Sequence, residues 1–427
     1  MLASLVAMYV LAFFVPVVRP FAESILFIGI GVVLVELILL YLTGRVTGDR
    51  AVADRLSNGD RNPIAVHLRS TYPFLVRLTV IDELPVQLQV RDMSIRVRIP
   101  PGGERTVRYS VRPTDRGEYA FGVVNVFART PLGLVERRFR CAEETTVPVY
   151  PSYIQMQEYS LLAASNRLRE VGVKKVRRLG HTMEFDHIRE YVVGDDYRTV
   201  NWNASARRGD LMVNQHREER SQPVYSVINA GRVMRMPFEG MTLLDYSINA
   251  ALVLSNIAIM KHDRAGIIGF SEDIGPVVPA ARRHAQMRQI QEALYHLDTN
   301  FLESDYRRLT TYVRTNTRGR GLLLLFTNFV ARTSLERQLP YLQALARNHT
   351  LVVIFFENTE LNALLNADAE SMEEVYAQTI AEKFANEQRE IIRELEQRGI
   401  YAVHTRPENL STETINTYLE LKARGVV

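Results

Sequence analysis

The stretch PVYSVINAGRV, residues 223–233, decides the fold. Residues 224–228 form a short apolar run of the kind that a parallel sheet buries on both faces. Asn229, Ala230 and Gly231 then end it. Similar runs recur at 265–270, 322–326 and 351–356, with a last strand at 401–404. Helical stretches lie between them, at 243–260, 285–297, 335–346, 361–398 and 413–424. Strands and helices alternating at these lengths predict a doubly wound α/β domain over 223–427. In such sheets ligands bind in the loops at the carboxyl ends of the strands, so chemistry is sought there.

Working outward toward the N-terminus, residues 46–151 change period from helix-like to two. Val107, Tyr109 and Val111 alternate with Arg108, Ser110 and Arg112, the pattern of a half-buried strand. Comparable runs at 64–68, 75–81, 95–99 and 119–127 are separated by turn signals such as Pro100-Pro101-Gly102-Gly103 and Asp115-Arg116-Gly117. This spacing predicts a β-sandwich-like domain. Its cationic side chains are arginines without lysine. They read as solvated strand faces, and contact with lipid headgroups is the sharper alternative.

Residues 1–45 read as two transmembrane helices. Leu2 to Val18 is nearly all apolar, and Ser24 to Thr43 carries Glu36 as its sole charge. A bilayer core of ~30 Å takes ~20 apolar residues in a helix, which the second stretch supplies. Arg45, Arg50 and Arg55 follow it, whereas Arg19 in the preceding turn is offset by Glu23. The positive-inside rule therefore places the soluble domains on the cytoplasmic side of the inner membrane. Glu36 is costly at membrane depth, so it faces a neighbouring helix, is protonated, or marks a shorter span.

Bulk properties narrow the class further. A chain of 427 residues holds two or three domains, and 47% hydrophobic with 23% charged residues is globular rather than disordered. A formal charge of +4 does not by itself select nucleic acid. Cys141 is the single cysteine, so an internal disulfide and thiolate zinc sites are excluded.

Residues 152–222 form a connector. Its first half is basic, with Arg167, Arg169, Lys174, Lys175, Arg177 and Arg178, but no aromatic residue interleaves them for base stacking. A solvated or partner-facing surface is the simpler reading, and an anionic-polymer site the alternative. Its second half crowds Glu184, Asp186, Arg189, Glu190, Asp195, Asp196, Arg198, Arg207, Arg208 and Asp210 around Trp202, the sole tryptophan. So dense a set reads as a fixed polar network or a docking surface.

The order Arg189-Glu190-Tyr191, Gly194-Asp195-Asp196, Arg198, Val200-Asn201-Trp202 and Ala206-Arg207 resembles the signature of the bacterial family called domain of unknown function 58. The resemblance extends over most of the chain and implies membrane segments, a β-rich domain and a von Willebrand factor A-like end. It also implies an association with a MoxR-type AAA+ ATPase and a non-catalytic role in assembling complexes, with unknown client proteins. On that reading Arg189, Glu190, Asp195, Asp196, Arg198, Trp202 and Arg207 form an interaction surface, with Arg232 at the sheet edge as a second contact.

The von Willebrand A fold commonly carries a metal-ion-dependent adhesion site that opens with Asp-x-Ser-x-Ser. Here that loop reads Asn229-Ala230-Gly231-Arg232-Val233, Asn328 stands where a later acid belongs, and Thr299 is the remaining threonine. Neutral amides remove the charge that offsets desolvation of Mg²⁺, and Arg232 and Arg235 would repel a cation, so no cofactor or metal is expected. The competing reading is a metal-dependent hydrolase using His181, Asp186 and His187 with Glu190 as base, although their spacing matches no established ligand pattern. No phosphate-binding loop, dinucleotide fingerprint or nucleophile elbow is present. The glutamates of the long helix, among them Glu373, Glu387 and Glu394, read as a solvated face.

Overall fold

The computed structural model describes residues 10, 14, 15, 18–90, 93–164, 172, 185–192, 197, 200–216, 221–283, 285–299, 302–329, 331–357 and 371–426; for 164, 185–188 and 214–216 it describes the backbone alone. Contacts divide the chain into Met1–Tyr150 and Pro151–Val427.

The first unit opens with α1, Arg19–Leu42, long and apolar enough to cross a membrane, with most of its side chains exposed. Ten strands follow: β1 (Val46–Ala51), β2 (Leu56–Ser57), β3 (Asn62–Ser70), β4 (Val76–Asp82), β5 (Ile95–Ile99), β6 (Glu104–Val111), β7 (Gly117–Phe121), β8 (Val124–Arg129), β9 (Glu136–Cys141) and β10 (Thr145–Tyr150). They form sheets in the orders β1-β3-β6, β5-β4-β8-β9 and β2-β10-β7. The run at 119–127 divides into β7 and β8 because Gly122 and Val123 break the ladder between them.

Period-two patterning builds the core. Val66 and Leu68 of β3, Val107 of β6, Leu78 and Val80 of β4, and Val126 and Ala128 of β8 meet in one apolar cluster with Leu40 of α1. Burying each such Val or Leu is worth roughly 1.5–3 kcal/mol, and a slip of one residue would turn the whole set outward.

Glu36, Arg50 and Asp82, three charged side chains nearly inaccessible to solvent, find their partners within this unit. The Glu36 carboxylate of α1 accepts from the N–H groups of Gly133 (3.1 Å), Leu134 (2.9 Å) and Val135 (2.9 Å), and from Thr130 Oγ1, all in the β8–β9 turn. At the end of the same helix, Arg137 Nη1 donates to the Leu40 carbonyl at 2.6 Å, where the helix dipole favours a cation. Arg50, counted above among the flanking charges, lies inside the fold. Its Nη1 donates to Asp82 Oδ1 at 2.7 Å with both side chains nearly inaccessible, and Tyr109 donates to the other Asp82 oxygen. Burial, reinforced by Asp82, pushes the Tyr109 hydroxyl far above its usual range.

The second unit contains α2 (Tyr153–Ala164), β11 (Phe185–Glu190), α3 (Trp202–Arg208), β12 (Met212–His216), β13 (Pro223–Asn229), β14 (Pro237–Phe238), β15 (Met241–Thr242), α4 (Leu243–Met260), β16 (Arg264–Phe270), β17 (Ile274–Ala281), α5 (Gln286–Tyr295), α6 (Tyr306–Asn316), β18 (Leu322–Phe326), α7 (Arg332–Asn348), β19 (Thr350–Phe356), α8 (Met372–Gln397), β20 (Tyr401–Thr405) and α9 (Leu410–Ala423). Its main sheet runs β17-β16-β13-β18-β19-β20. Five strands are parallel, and β17 pairs antiparallel with β16. The sheet is thus mixed rather than wholly parallel. The β17 sequence IGPVVPAA explains its place, since Pro276 and Pro279 cannot donate to a ladder and confine it to an edge.

Helices cover both faces. Val224, Ile267, Leu324 and Ile354 point to α4, α5 and α9, while Val227, Ile268, Leu325 and Val353 point to α6, α7 and α8. Helix α4 is also long and apolar enough to cross a membrane, but it is buried nearly all round and packs on β13 and β16. An apolar helix without a polar face is here the centre of a core.

Candidate functional site

Numbered in chain order, the strands of the main sheet run 3-2-1-4-5-6. That order reverses direction between β13 and β18, and a doubly wound sheet opens a crevice at this point beyond the strands' carboxyl ends. Asn229 ends β13 on one side, and Thr327 follows β18 on the other.

Asn229 is buried and its amide is fully engaged. Its Oδ1 accepts from the Gly231 N–H at 2.8 Å and from Ser304 Oγ. Its Nδ2 donates to Thr327 Oγ1 at 2.9 Å and toward the Tyr306 hydroxyl at 3.4 Å. An amide has two donors and two acceptor positions, so nothing is left over. The Gly231 N–H also fixes which end of the amide faces it. Tyr306 OH and Thr327 Oγ1 close the ring at 2.7 Å. Full burial pushes the Tyr306 hydroxyl up to about 12, partly offset by its bonds from Thr327 and Asn229. The Tyr306 ring stands edge-on to Phe270, 5.3 Å between centroids.

The surrounding positions seal the crevice. A side chain at Gly231 would run into Ser304 Oγ, with Asn229 Oδ1 and the Leu302 carbonyl each at 3.1 Å. Val233 packs against the core, and Asn328 directs Nδ2 to Met236 Sδ at 3.5 Å. Thr299 lies after α5, its N–H bonded to Asp298 Oδ1, and the threonine that reaches Asn229 is Thr327. Arg232 sits on the rim, its side chain 61% exposed, with Nη2 at 2.8 Å from Glu303 Oε1. So open an ion pair is worth about 0–1 kcal/mol and yields easily to another anion.

These residues do not fit a divalent cation. Mg²⁺ needs oxygen ligands in octahedral array and at least one carboxylate. Asn229 Oδ1 instead faces two donors, and its Nδ2 fills the place of a second oxygen. Among the described residues no group of three or more His, Cys, Asp or Glu side chains could hold a metal ion. Ser304 and Tyr306 escape a reading by loop motif because they lie 75 and 77 residues from Asn229 in sequence.

The signature segment builds a separate feature. β11 and β12 form an antiparallel hairpin in which Arg189 pairs with Val213 and Glu190 with Met212. Asn201 caps α3 by accepting from the Ala204 N–H at 3.0 Å, and its own N–H donates to the Met212 carbonyl at 2.8 Å. Ser205 Oγ accepts from the Met212 N–H at 2.8 Å, fastening α3 to β12. Trp202, the first residue of α3, is thereby held 67% exposed. Val192, Tyr197 and Leu211 of the same segment are exposed as well, and the Tyr191 and Tyr197 rings are 5.6 Å apart. Arg207 and Arg208 occupy the last turn of α3 on the surface. Asp195, Asp196, Arg198 and His181 lie outside the described residues, as does the basic run from Arg167 to Arg178 apart from Gly172. Asp186 and His187 belong to the backbone of β11.

Taken together, the second unit is a doubly wound α/β domain with a hydrogen-bonded polar lock at its switch point and an exposed tryptophan on a short helix fastened to an added two-stranded sheet. Residues 187–393 match the family model described as protein of unknown function DUF58. The uncharacterized protein YeaD of Bacillus subtilis (strain 168) is 30% identical over 183 residues, 41% of this chain and 45% of that protein. The match thus spans less than half the length of that relative. Among solved structures, the SpRpn10 VWA domain aligns over 46% of this chain and 95% of its own at 11% identity, TM-score 0.27. A PapD-like domain of human CEP192 aligns over 26% of this chain and 87% of its own, at 13% identity and TM-score 0.20.

Proposed function

We propose that this protein is a membrane-anchored, non-catalytic adaptor whose second unit is a von Willebrand A-type domain adapted to hold proteins instead of a metal ion. The observation that carries the reading is the closed Asn229 ring: four neutral partners occupy the amide at the position where such domains bind their cation. A crevice satisfied in this way offers no activated water, nucleophile or Lewis acid. It offers a rigid rim, with Arg232 exposed on it.

The docking element is then the patch around Trp202. A tryptophan 67% exposed on a hydrogen-bonded frame loses little entropy on binding and gives a partner a large apolar anchor. Arg207 and Arg208, in the last turn of the same short helix, supply the charge that sets orientation. A MoxR-type AAA+ ATPase is the partner of this reading. It would supply nucleotide hydrolysis while this chain, anchored through α1 with its soluble units in the cytoplasm, would hold the assembly or its client.

Co-purification from detergent-solubilised membranes, with and without ATP, tests the reading. Wild-type protein brings down the ATPase, and Trp202→Ala loses it while keeping its circular dichroism and melting temperature. Unchanged recovery with Trp202→Ala contradicts the docking role. Bound zinc or manganese with a measurable hydrolase activity, lost on Glu190→Gln, favours the metal-dependent hydrolase instead.

A further inference from the structure

We propose that the outer face of the β5-β4-β8-β9 sheet binds the headgroups of anionic phospholipids. The inference rests on the reading of α1 as a membrane anchor and adds a second, chemically selective contact to it.

Strand register places the charges. Arg77 lies directly opposite Arg98 on one side and Arg129 on the other, and Arg129 in turn faces Glu136. One step along, Arg96, Thr79, Phe127 and Arg138 form the next row, and Arg140 follows opposite Asn125. Paired residues of an antiparallel sheet share a face, so six arginines stand together there, all exposed. Glu136 pairs with Arg129, and Glu83 is engaged by Asn125 Nδ2 at 2.6 Å. Like charges directly opposite one another weaken a sheet. A triple arginine row therefore makes physical sense as a receptor for external anions. Guanidinium groups bind phosphate oxygens through a planar fork, which lysine cannot do, and this unit has no lysine.

Position selects a lipid over other phosphates. The arginine rows end at the β8–β9 turn, whose Gly133, Leu134 and Val135 amides hold Glu36 of α1. A groove lined by Arg77, Arg96, Arg98 and Arg129 shares Thr130 and Leu132 with an apolar cleft against Ile28, Val32 and Val35 of the helix. Headgroup and acyl chain thus find adjoining surfaces of opposite character. At the turn, Leu132 is 71% and Leu134 50% exposed. Residues 20–35 of α1 rise only about 24 Å before Glu36, less than the ~30 Å hydrocarbon core. The turn consequently meets the membrane interface, with its leucines among the upper acyl carbons and the arginines at phosphate level.

Native mass spectrometry of the full-length protein in detergent, titrated with phosphatidylglycerol or phosphatidylcholine, tests this. The wild type is expected to retain phosphatidylglycerol preferentially. Changing Arg77, Arg96, Arg98 and Arg129 to Gln lowers that retention by about fivefold per arginine, the factor equivalent to ~1 kcal/mol per basic residue at a membrane surface. The same four positions changed to Lys keep the charge without the planar fork, so that variant retains more phosphatidylglycerol than the Gln variant and less than the wild type, which separates charge from misfolding. Equal retention of the two lipids by the wild type, undiminished phosphatidylglycerol binding by the Gln variant, or tighter binding of oligothymidylate than of phosphatidylglycerol each overturns the proposal. Carbonate extraction of membranes reads the anchor separately: a chain that washes off yet keeps its lipid selectivity removes the anchor and leaves the headgroup site standing.

Discussion

Asn229 Nδ2 donates to Thr327 Oγ1 at 2.9 Å across the point where the sheet order reverses, tying the ends of its two central strands together. The bond is buried, and the same amide satisfies Gly231, Ser304 and Tyr306. Asn229→Ala strands several buried polar groups at once. A loss of roughly 1–3 kcal/mol is expected for each one left unpaired, partly recovered where Tyr306 and Thr327 bond to each other. Urea unfolding followed by tryptophan fluorescence and far-UV circular dichroism measures it. A change below a few tenths of a kcal/mol would show that the ring contributes nothing to stability.

The contact between Gly231 and Ser304 is testable by compensation. Gly231→Ala brings a methyl group into Ser304 Oγ and displaces the hydroxyl from Asn229. Destabilisation of about 1–3 kcal/mol is expected, as for other overpacked sites. Ser304→Ala in the same chain removes the clash, so the double variant should be more stable than Gly231→Ala alone, a coupling that a double-mutant cycle reads directly.

Alkaline titration should single out Tyr306. Its hydroxyl is raised to about 12 in the folded protein against 10.0 in a model peptide, so the unfolded chain deprotonates first as pH rises. Its contribution is intact below pH ~10 and is lost progressively up to pH ~12, roughly 2–3 kcal/mol in all. Tyr109, Tyr72 and Tyr159 are raised as well and add to the alkaline loss. The comparison is therefore between wild type and Tyr306→Phe, whose stability should decline less steeply over that window. Parallel curves would contradict the assignment.

Glu36→Ala deprives three backbone N–H groups of their acceptor. Hydrogen exchange at Gly133, Leu134 and Val135 should accelerate by one or more orders of magnitude, matching roughly 1–3 kcal/mol per stranded donor. Unchanged protection at these amides would place the Glu36 contact outside the protein's working structure.

The strands of the α/β domain were legible because β13, β16, β18 and β19 are apolar runs buried on both faces, and α4 could be bounded in full from its composition. β17 was not, since two prolines and a glycine obscure a strand that only an edge position tolerates. α6 was also missed, although Asp305 as its N-cap and Tyr306, Leu309 and Val313 at helical spacing mark it. The loss of an acid at position 229 was plain in the sequence. What replaced it was not, because Ser304 and Tyr306 meet Asn229 only through the tertiary fold. Glu36 shows the same limit: a lone charge in an apolar helix was visible, but its acceptor role toward the β8–β9 turn, about a hundred residues away, was not.

The central claim is that the crevice at the carboxyl end of the sheet works without a metal ion. Equilibrium dialysis of the full-length protein against Mg²⁺ and Mn²⁺ tests it most directly. The account predicts no saturable binding that depends on position 229; one equivalent of either ion, held by the wild type and released on Asn229→Ala, would contradict it.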